Sequence, residues 1–223
     1  MSRIPIRQSG VILAGGRSSR MGRPKMAIRL EGASLLARTT SALLACCDEV
    51  LVIAAPTGSP DGVEDALHEL GSLPQLKILR DPEPYKGPLP AIVQGLSEAR
   101  GAVSFVTAGD SPLLAPALVG GMLATLENEP LIHALIPQVD GHPQPLTAAY
   151  RSQPMRELFA KALARGENSP RRVLQGASLR ELSASELRSW DPELRSFLNI
   201  NNPEDLERVR SAFPQAMADS ADD

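Results

Sequence analysis

Aromatic residues account for only 3% of the 223-residue chain, too few to build the stacking platforms that hold single-stranded nucleic acid. A positive field is missing as well. The formal net charge is -3, so nothing in the overall balance condenses a polyanion, and nucleic acid is excluded as an expected partner. The only cysteines, Cys46 and Cys47, are adjacent inside an apolar helical stretch. Neighbours on a helix point about 100° apart and no metal-ligand spacing is present, so the pair reads as reduced, buried thiols of a reducing compartment. The three histidines form no evident catalytic triad. No apolar run approaches the ~20 residues that span a bilayer. The charged opening MSRIPIRQ passes straight into a short strand without the apolar region of a signal peptide, so no membrane partner and a cytoplasmic location are expected. Internal repeats and Gly/Ser-rich linkers are absent, which predicts one domain over residues 1–213. The acidic, weakly apolar tail 214–223 is expected to be disordered.

What the chain does have is a core and one unusual stretch. Hydrophobic residues make up 43% of the sequence, enough to fill the interior of a single large domain. From Gly10 to Lys25, GVILAGGRSSRMGRPK, a short apolar run stops at two glycines and turns cationic. Val11, Ile12 and Leu13 suit a buried strand, and Gly15 and Gly16 let the chain turn with backbone N–H groups facing a ligand. Arg17, Arg20, Arg23 and Lys25 follow within one loop. Four cations beside bare amides suit a polyphosphate, whose oxygens take several charge-assisted donors at once. The two standard nucleotide fingerprints are not met: there is no Gly-Lys-Ser/Thr ending and no Gly-x-Gly-x-x-Gly.

Strands alternate with helices along the first half. Ser34 is positioned to cap a helix carrying Leu35, Leu36, Leu43 and Leu44, and Val50–Ile53 is the next branched run. Asp61–Leu70 reads as an amphipathic helix, Leu76–Leu79 as a strand ending at Arg80-Asp81-Pro82, Leu89–Leu96 as apolar-periodic, and Val103–Val106 as a strand ending at Gly109-Asp110. This order predicts an α/β fold: a single Rossmann-like three-layer α/β/α domain with a mostly parallel sheet. Such sheets bind ligands at the carboxyl ends of their strands. That rule puts Gly15, Gly16, Asp81 and Asp110 on one edge, although they are far apart in sequence. In the second half, Ala115–Leu126 reads as a helix. Leu131–Val139 and Leu146–Tyr150 form a hairpin around Asp140-Gly141-His142-Pro143, and Arg151–Arg165 and Ser169–Gln175 read as helices. Leu179–Leu182 is a short strand and Phe197–Asn201 a last one, before a helix that opens at Asn202-Pro203-Glu204-Asp205.

Leu13-Ala14-Gly15-Gly16, with Arg20-Met21-Gly22 and Lys25 behind it, resembles the opening signature of nucleotidyltransferases that attach a nucleoside monophosphate to a small phosphorylated acceptor. Four further stretches agree: Asp81 with Gly87-Pro88-Leu89, Gly109-Asp110-Ser111-Pro112, Gly141-His142-Pro143-Gln144-Pro145-Leu146, and Asn199-Ile200-Asn201-Asn202-Pro203-Glu204-Asp205. Within that group the chain is similar to the molybdenum cofactor guanylyltransferases, the MobA-like family. It departs from their usual pattern at Ile53, at Pro90-Ala91 and at Gly109. The resemblance implies transfer of GMP from GTP to the terminal phosphate of molybdopterin or Mo-molybdopterin, with release of pyrophosphate and with Mg2+ as cofactor. Other cofactor-biosynthesis or acceptor proteins would be partners. It assigns Lys25, Asp110 and Arg20 to catalysis, with Asp110 as the metal ligand. Leu13, Ala14, Gly15, Gly16, Lys25, Asp81 and Asp110 go to the nucleotide, and His142, Gln144, Asn199 and Asn201 to the acceptor. The Leu-Ala-Gly-Gly loop is the form that accompanies guanine users. A relative using CTP or another acceptor, and a nucleotide-binding protein without transfer activity, share most of these motifs. Taken residue by residue, Asp110 also suits a turn cap before Ser111-Pro112, Lys25 a solvent-facing lysine, and His142 an exposed hairpin tip.

Overall fold

The structure, a computed structural model, describes residues 7–15, 25–59, 63–81, 86–200 and 202–213. In chain order the elements are β1 (Gln8–Ala14), β2 (Arg29–Leu30), β3 (Ala33–Ser34), α1 (Leu35–Leu44), β4 (Glu49–Ala54), α2 (Val63–Leu70), β5 (Leu76–Arg80), α3 (Leu89–Glu98) and β6 (Val103–Ala108). The second half adds α4 (Pro116–Asn128), β7 (Ala134–Val139), β8 (His142–Pro143), β9 (Thr147–Arg151), α5 (Ser152–Ala164), α6 (Pro170–Leu174), β10 (Leu179–Leu182), α7 (Ala184–Leu187) and α8 (Pro203–Ala212). The main sheet runs in the order β10-β7-β9-β6-β1-β4-β5, with β8 paired to β7. Of the seven strands in that order, β9 alone lies antiparallel to its neighbours. The three-layer, mostly parallel α/β domain expected from the alternation is present.

β1 sits between β4 and β6 and is buried on both faces, as a central parallel strand must be. Its alternate residues serve different layers. Val11 and Leu13 pack with Leu89 and Ile92 of α3 and with Met155 and Phe159 of α5. Ile12 and Ala14 face Leu36 and Leu43 of α1 and Leu118 and Met122 of α4. A third, smaller cluster joins Ile28, Leu30 and Leu35 to Ile200, Leu206 and Val209. It docks α8 onto the β2–β3 hairpin, and each fully buried aliphatic side chain there contributes roughly 1.5 to 3 kcal/mol. Arg38 stacks over Phe213 at 4.5 Å, extending the same seam.

Local signals account for several element ends. Ser34 caps α1 by accepting from the Ala37 N–H at 3.1 Å, and Asn202 and Asp205 form a reciprocal capping box at the start of α8. Three expectations need correction. Phe197–Asn201 is not a strand as far as it is described: a 3-10 turn covers Arg195–Phe197 and residues 198–200 follow without a ladder. Helix α1 stops at Leu44, so Cys46 and Cys47 lie in the turn beyond it; both thiols are free, but only Cys47 is buried. The strand β7 begins at Ala134, because Leu131 is exposed. Gly16, Arg17, Arg20, Arg23, Asn201 and the tail 214–223 lie outside the described residues.

Candidate active site

Parallel register levels the strand ends. Leu13 pairs with Ile53 on one side and Ala108 on the other, and Ala54 pairs with Arg80. The residues that follow these strands therefore share the carboxyl edge of the sheet. The Asp81 N–H donates to Ala54 O at 2.7 Å and the Gly109 N–H to Leu13 O at 3.0 Å. The carbonyl of Leu13 is thus already committed to the protein, whereas Gly15, one step past the strand, is exposed. A Cβ placed on Gly15 would lie 3.7 Å from Asp81 Oδ2 and 3.8 Å from the Ala55 N. That is ordinary contact, so packing does not demand glycine there, and its absent side chain leaves open backbone beside a buried carboxylate. Asp81 is 6% exposed.

Asp110 is 7% exposed. Its Oδ2 forms an ion pair with Lys25 Nζ, and its Oδ1 is buried with no partner among the described residues. A turn cap would have used that oxygen on a neighbouring N–H, and a solvated lysine would not be largely buried, so the geometry disfavours both of the bland readings. A buried, unpaired carboxylate oxygen is costly in the isolated chain and points towards something that completes it. Its chemistry, an anionic hard oxygen beside the Lys25 ammonium, fits a divalent cation such as Mg2+ that keeps few protein ligands. No group of three or more metal-ligating side chains occurs among the described residues.

Helix α1 brings the two members of the pair together. The Leu36 N–H donates to Met26 O at 3.4 Å and the Leu35 N–H to Ile28 O at 2.9 Å, so the otherwise unpaired donors at the start of α1 hold the segment just after Lys25. One turn further, Thr39 Oγ1 lies 3.3 Å from Gly109 O and 3.2 Å from Ser111 O. Sequence reasoning missed Thr39. A threonine inside an amphipathic helix carries no local mark of a partner seventy residues away.

The hairpin that the resemblance assigns to the acceptor begins where β7 ends, at this same edge. His142 is exposed on β8, and the Gln144 side chain donates to His142 O at 3.2 Å. The hairpin is braced by Tyr150, whose buried hydroxyl donates to Pro145 O at 2.7 Å; burial pushes its pKa well above the usual phenol value. Asn199 sits elsewhere, with its Oδ1 accepting from Ser111 Oγ at 2.8 Å. A groove of about 560 Å3 lined by Arg100, Gly101, Ser152 and Gln153 lies at the opposite, amino edge and contains none of these residues.

Comparison with known proteins gives the same grouping. The probable molybdenum cofactor guanylyltransferase of Chloroflexus aggregans is 35% identical over 213 residues, covering 91% of this chain and 93% of that protein. Among solved structures, molybdopterin-guanine dinucleotide biosynthesis protein A of Archaeoglobus fulgidus is similar with a TM-score of 0.74 at 23% identity, covering 92% of this chain and 97% of its own. A Mycobacterium tuberculosis protein in complex with manganese is similar with a TM-score of 0.61 at 17% identity, over 93% and 100% of the two chains. At those identities the two structures speak for the fold. The profile of the MobA-like NTP transferase domain matches residues 10–184, a span that takes in Gly15, Lys25, Asp81 and Asp110, and the chain belongs to that family.

Proposed function

We propose that the chain is a molybdenum cofactor guanylyltransferase that joins the GMP unit of GTP to the terminal phosphate of molybdopterin. An acceptor phosphate oxygen bonds to the α-phosphorus, the bond to the β-phosphate oxygen breaks, and pyrophosphate leaves. The nucleophile is already an anion, so the protein needs to align it and neutralise charge more than it needs a general base. The observation that carries this reading is the Lys25–Asp110 pair with its unpaired Oδ1, beside exposed Gly15 and buried Asp81.

Lys25 takes the triphosphate and stabilises the departing pyrophosphate, a catalytic role that Arg20 shares. Asp110 holds a divalent cation, Mg2+ by its oxygen-only chemistry, which supplies charge neutralisation on the phosphates when bound. Backbone groups at Ala14, Gly15 and Gly16 receive the nucleotide, Leu13, whose carbonyl is held by the Gly109 N–H, leads the chain to them, and Asp81 meets the nucleoside. The open backbone at Gly15 supports a purine, because a β-carbon there would narrow the slot. His142, Gln144 and Asn201 are assigned to binding the acceptor. No described helix is long and apolar enough to cross a membrane. Relatives named molybdenum cofactor guanylyltransferase support the choice of GTP and molybdopterin. The test is pyrophosphate release on mixing protein, Mg2+ and molybdopterin with GTP, CTP or ATP at equal concentration. GTP should be the fastest donor, and faster transfer from CTP would replace this reading with a cytidylyltransferase.

A further inference from the structure

We infer that Asn199 is a positioning residue for Asp110, acting through Ser111, and that the C-terminal segment ending in α8 works as a latch on the metal-binding loop. The resemblance assigns Asn199 to the acceptor, but its side-chain oxygen is already used: Ser111 Oγ donates to Asn199 Oδ1 at 2.8 Å. The next residue continues the contact, with the Ile200 N–H reaching Asp110 O at 3.4 Å. Ser111 is fully buried, as is Ile200.

The need for a latch follows from the state of Asp110. Its carboxylate has Lys25 as its only partner among the described residues, and Oδ1 has none. Hydrogen bonds to the carboxylate therefore do not fix its direction, and the backbone must. That backbone is gripped from two sides. Thr39 on α1 contacts the carbonyls of Gly109 and Ser111, and the Asn199–Ile200 stretch contacts the carbonyl of Asp110 and the hydroxyl of Ser111. Asn199–Ile200 is in turn held by the third core cluster, where Ile200, Leu206 and Val209 pack on Ile28, Leu30 and Leu35. The same cluster begins three residues after Lys25, so one small core fixes the chain next to both members of the ion pair. Partners that orient a metal-binding carboxylate without touching the metal commonly contribute 10- to 100-fold in affinity.

This inference rests on Asp110 as the metal carboxylate, and the experiment separates the two. Mn2+ binding is followed by electron paramagnetic resonance on the full chain, saturated with an α,β-methylene analogue of GTP that cannot transfer. Asp110→Asn should abolish tight Mn2+ binding; retained binding would remove the metal reading itself. With that established, Ser111→Ala and Asn199→Ala should each raise the Mn2+ dissociation constant about 10-fold or more. The double variant should be no worse than either alone, because both remove one contact. Each single variant should leave the molybdopterin Michaelis constant within about threefold of wild type while the metal concentration for half-maximal rate rises. Unchanged Mn2+ affinity in both single variants overturns the inference. So does a raised molybdopterin Michaelis constant in Asn199→Ala with normal Mn2+ binding, which would return Asn199 to the acceptor. Ser111→Ala keeps the proposal testable if Asn199→Ala does not fold, since it deletes a single hydroxyl.

Discussion

The two edges of the sheet each bury a carboxylate beside a cation, and the two sites are built to opposite ends. At the amino edge Glu49, 5% exposed, is fully supplied: Ser9 Oγ donates at 2.7 Å, the Arg100 N–H at 2.6 Å and Arg100 Nε at 2.7 Å. Burial alone would raise its pKa, but the Arg100 N–H, the Ser9 hydroxyl and the Arg100 guanidinium outweigh it and hold the carboxyl below its usual range. At the carboxyl edge Asp110, 7% exposed, has among the described residues one lysine and an oxygen with no partner. Equal burial with unequal satisfaction is the contrast on which the proposed ligand role of Asp110 rests. The adjacent groove of about 560 Å3 at the amino edge therefore carries less functional weight than the unpaired oxygen at the other.

Substitution should expose that division. Asp110→Ala is expected to reduce guanylyl transfer by at least about a hundredfold, the scale of a lost transition-state electrostatic contact, while the melting temperature holds or rises. Pyrophosphate release at saturating metal and GTP, read beside a thermal melt, checks both halves; transfer within about threefold of wild type would remove Asp110 from the mechanism. Lys25→Ala should cost about 2 to 4 kcal/mol of transition-state stabilisation. Because it also removes the ion-pair partner of Asp110, it should destabilise the nucleotide-free protein more than the nucleotide-bound one, which melts with and without GTP compare directly.

Glu49→Ala inverts the pattern. Loss of charge-assisted bonds to a buried carboxylate should lower stability by about 2 to 3 kcal/mol, with kcat and the Michaelis constants within twofold of wild type. Denaturant titration and the transfer assay on one preparation decide it, and a large fall in kcat without loss of stability would erase the contrast between the edges.

How much of this was legible depended on whether the signal was local. The branched run of β1, the cap at Ser34, the span of β10 and the start of α8 are written within a few residues, and the alternation of elements brought Gly15, Asp81 and Asp110 to one edge before any coordinates. Contacts across long separations left no such trace. Thr39 meets Gly109, and Ser111 meets Asn199, through helix and loop positions whose neighbours have ordinary polarity. The alternating Phe197–Asn201 resembled a strand for the same reason: Ile200 does donate a backbone hydrogen bond, but to Asp110 in a loop and not to a ladder. The β2–β3 hairpin, two residues a strand, is too short for any periodicity to register.

The smallest expected effect is a pH dependence at the amino edge. Glu49 has a folded-state pKa below that of the unfolded chain, so the unfolded state binds its proton first as pH falls. Its contribution to stability is complete above the unfolded value and disappears as pH drops through the folded one. The difference in unfolding free energy between wild type and Glu49→Gln should therefore be flat at neutral pH and begin to shrink as the pH falls through the ordinary carboxyl range of the unfolded chain, about 4. Arg100 is half exposed, so added salt should screen part of the difference without moving the pH at which it fades. Denaturant melts of both proteins across that range measure it. A difference that stays constant to pH 3 would mean that Glu49 acts by shape and neutral hydrogen bonding alone. Its charge would then no longer be what distinguishes the satisfied edge from the unsatisfied one.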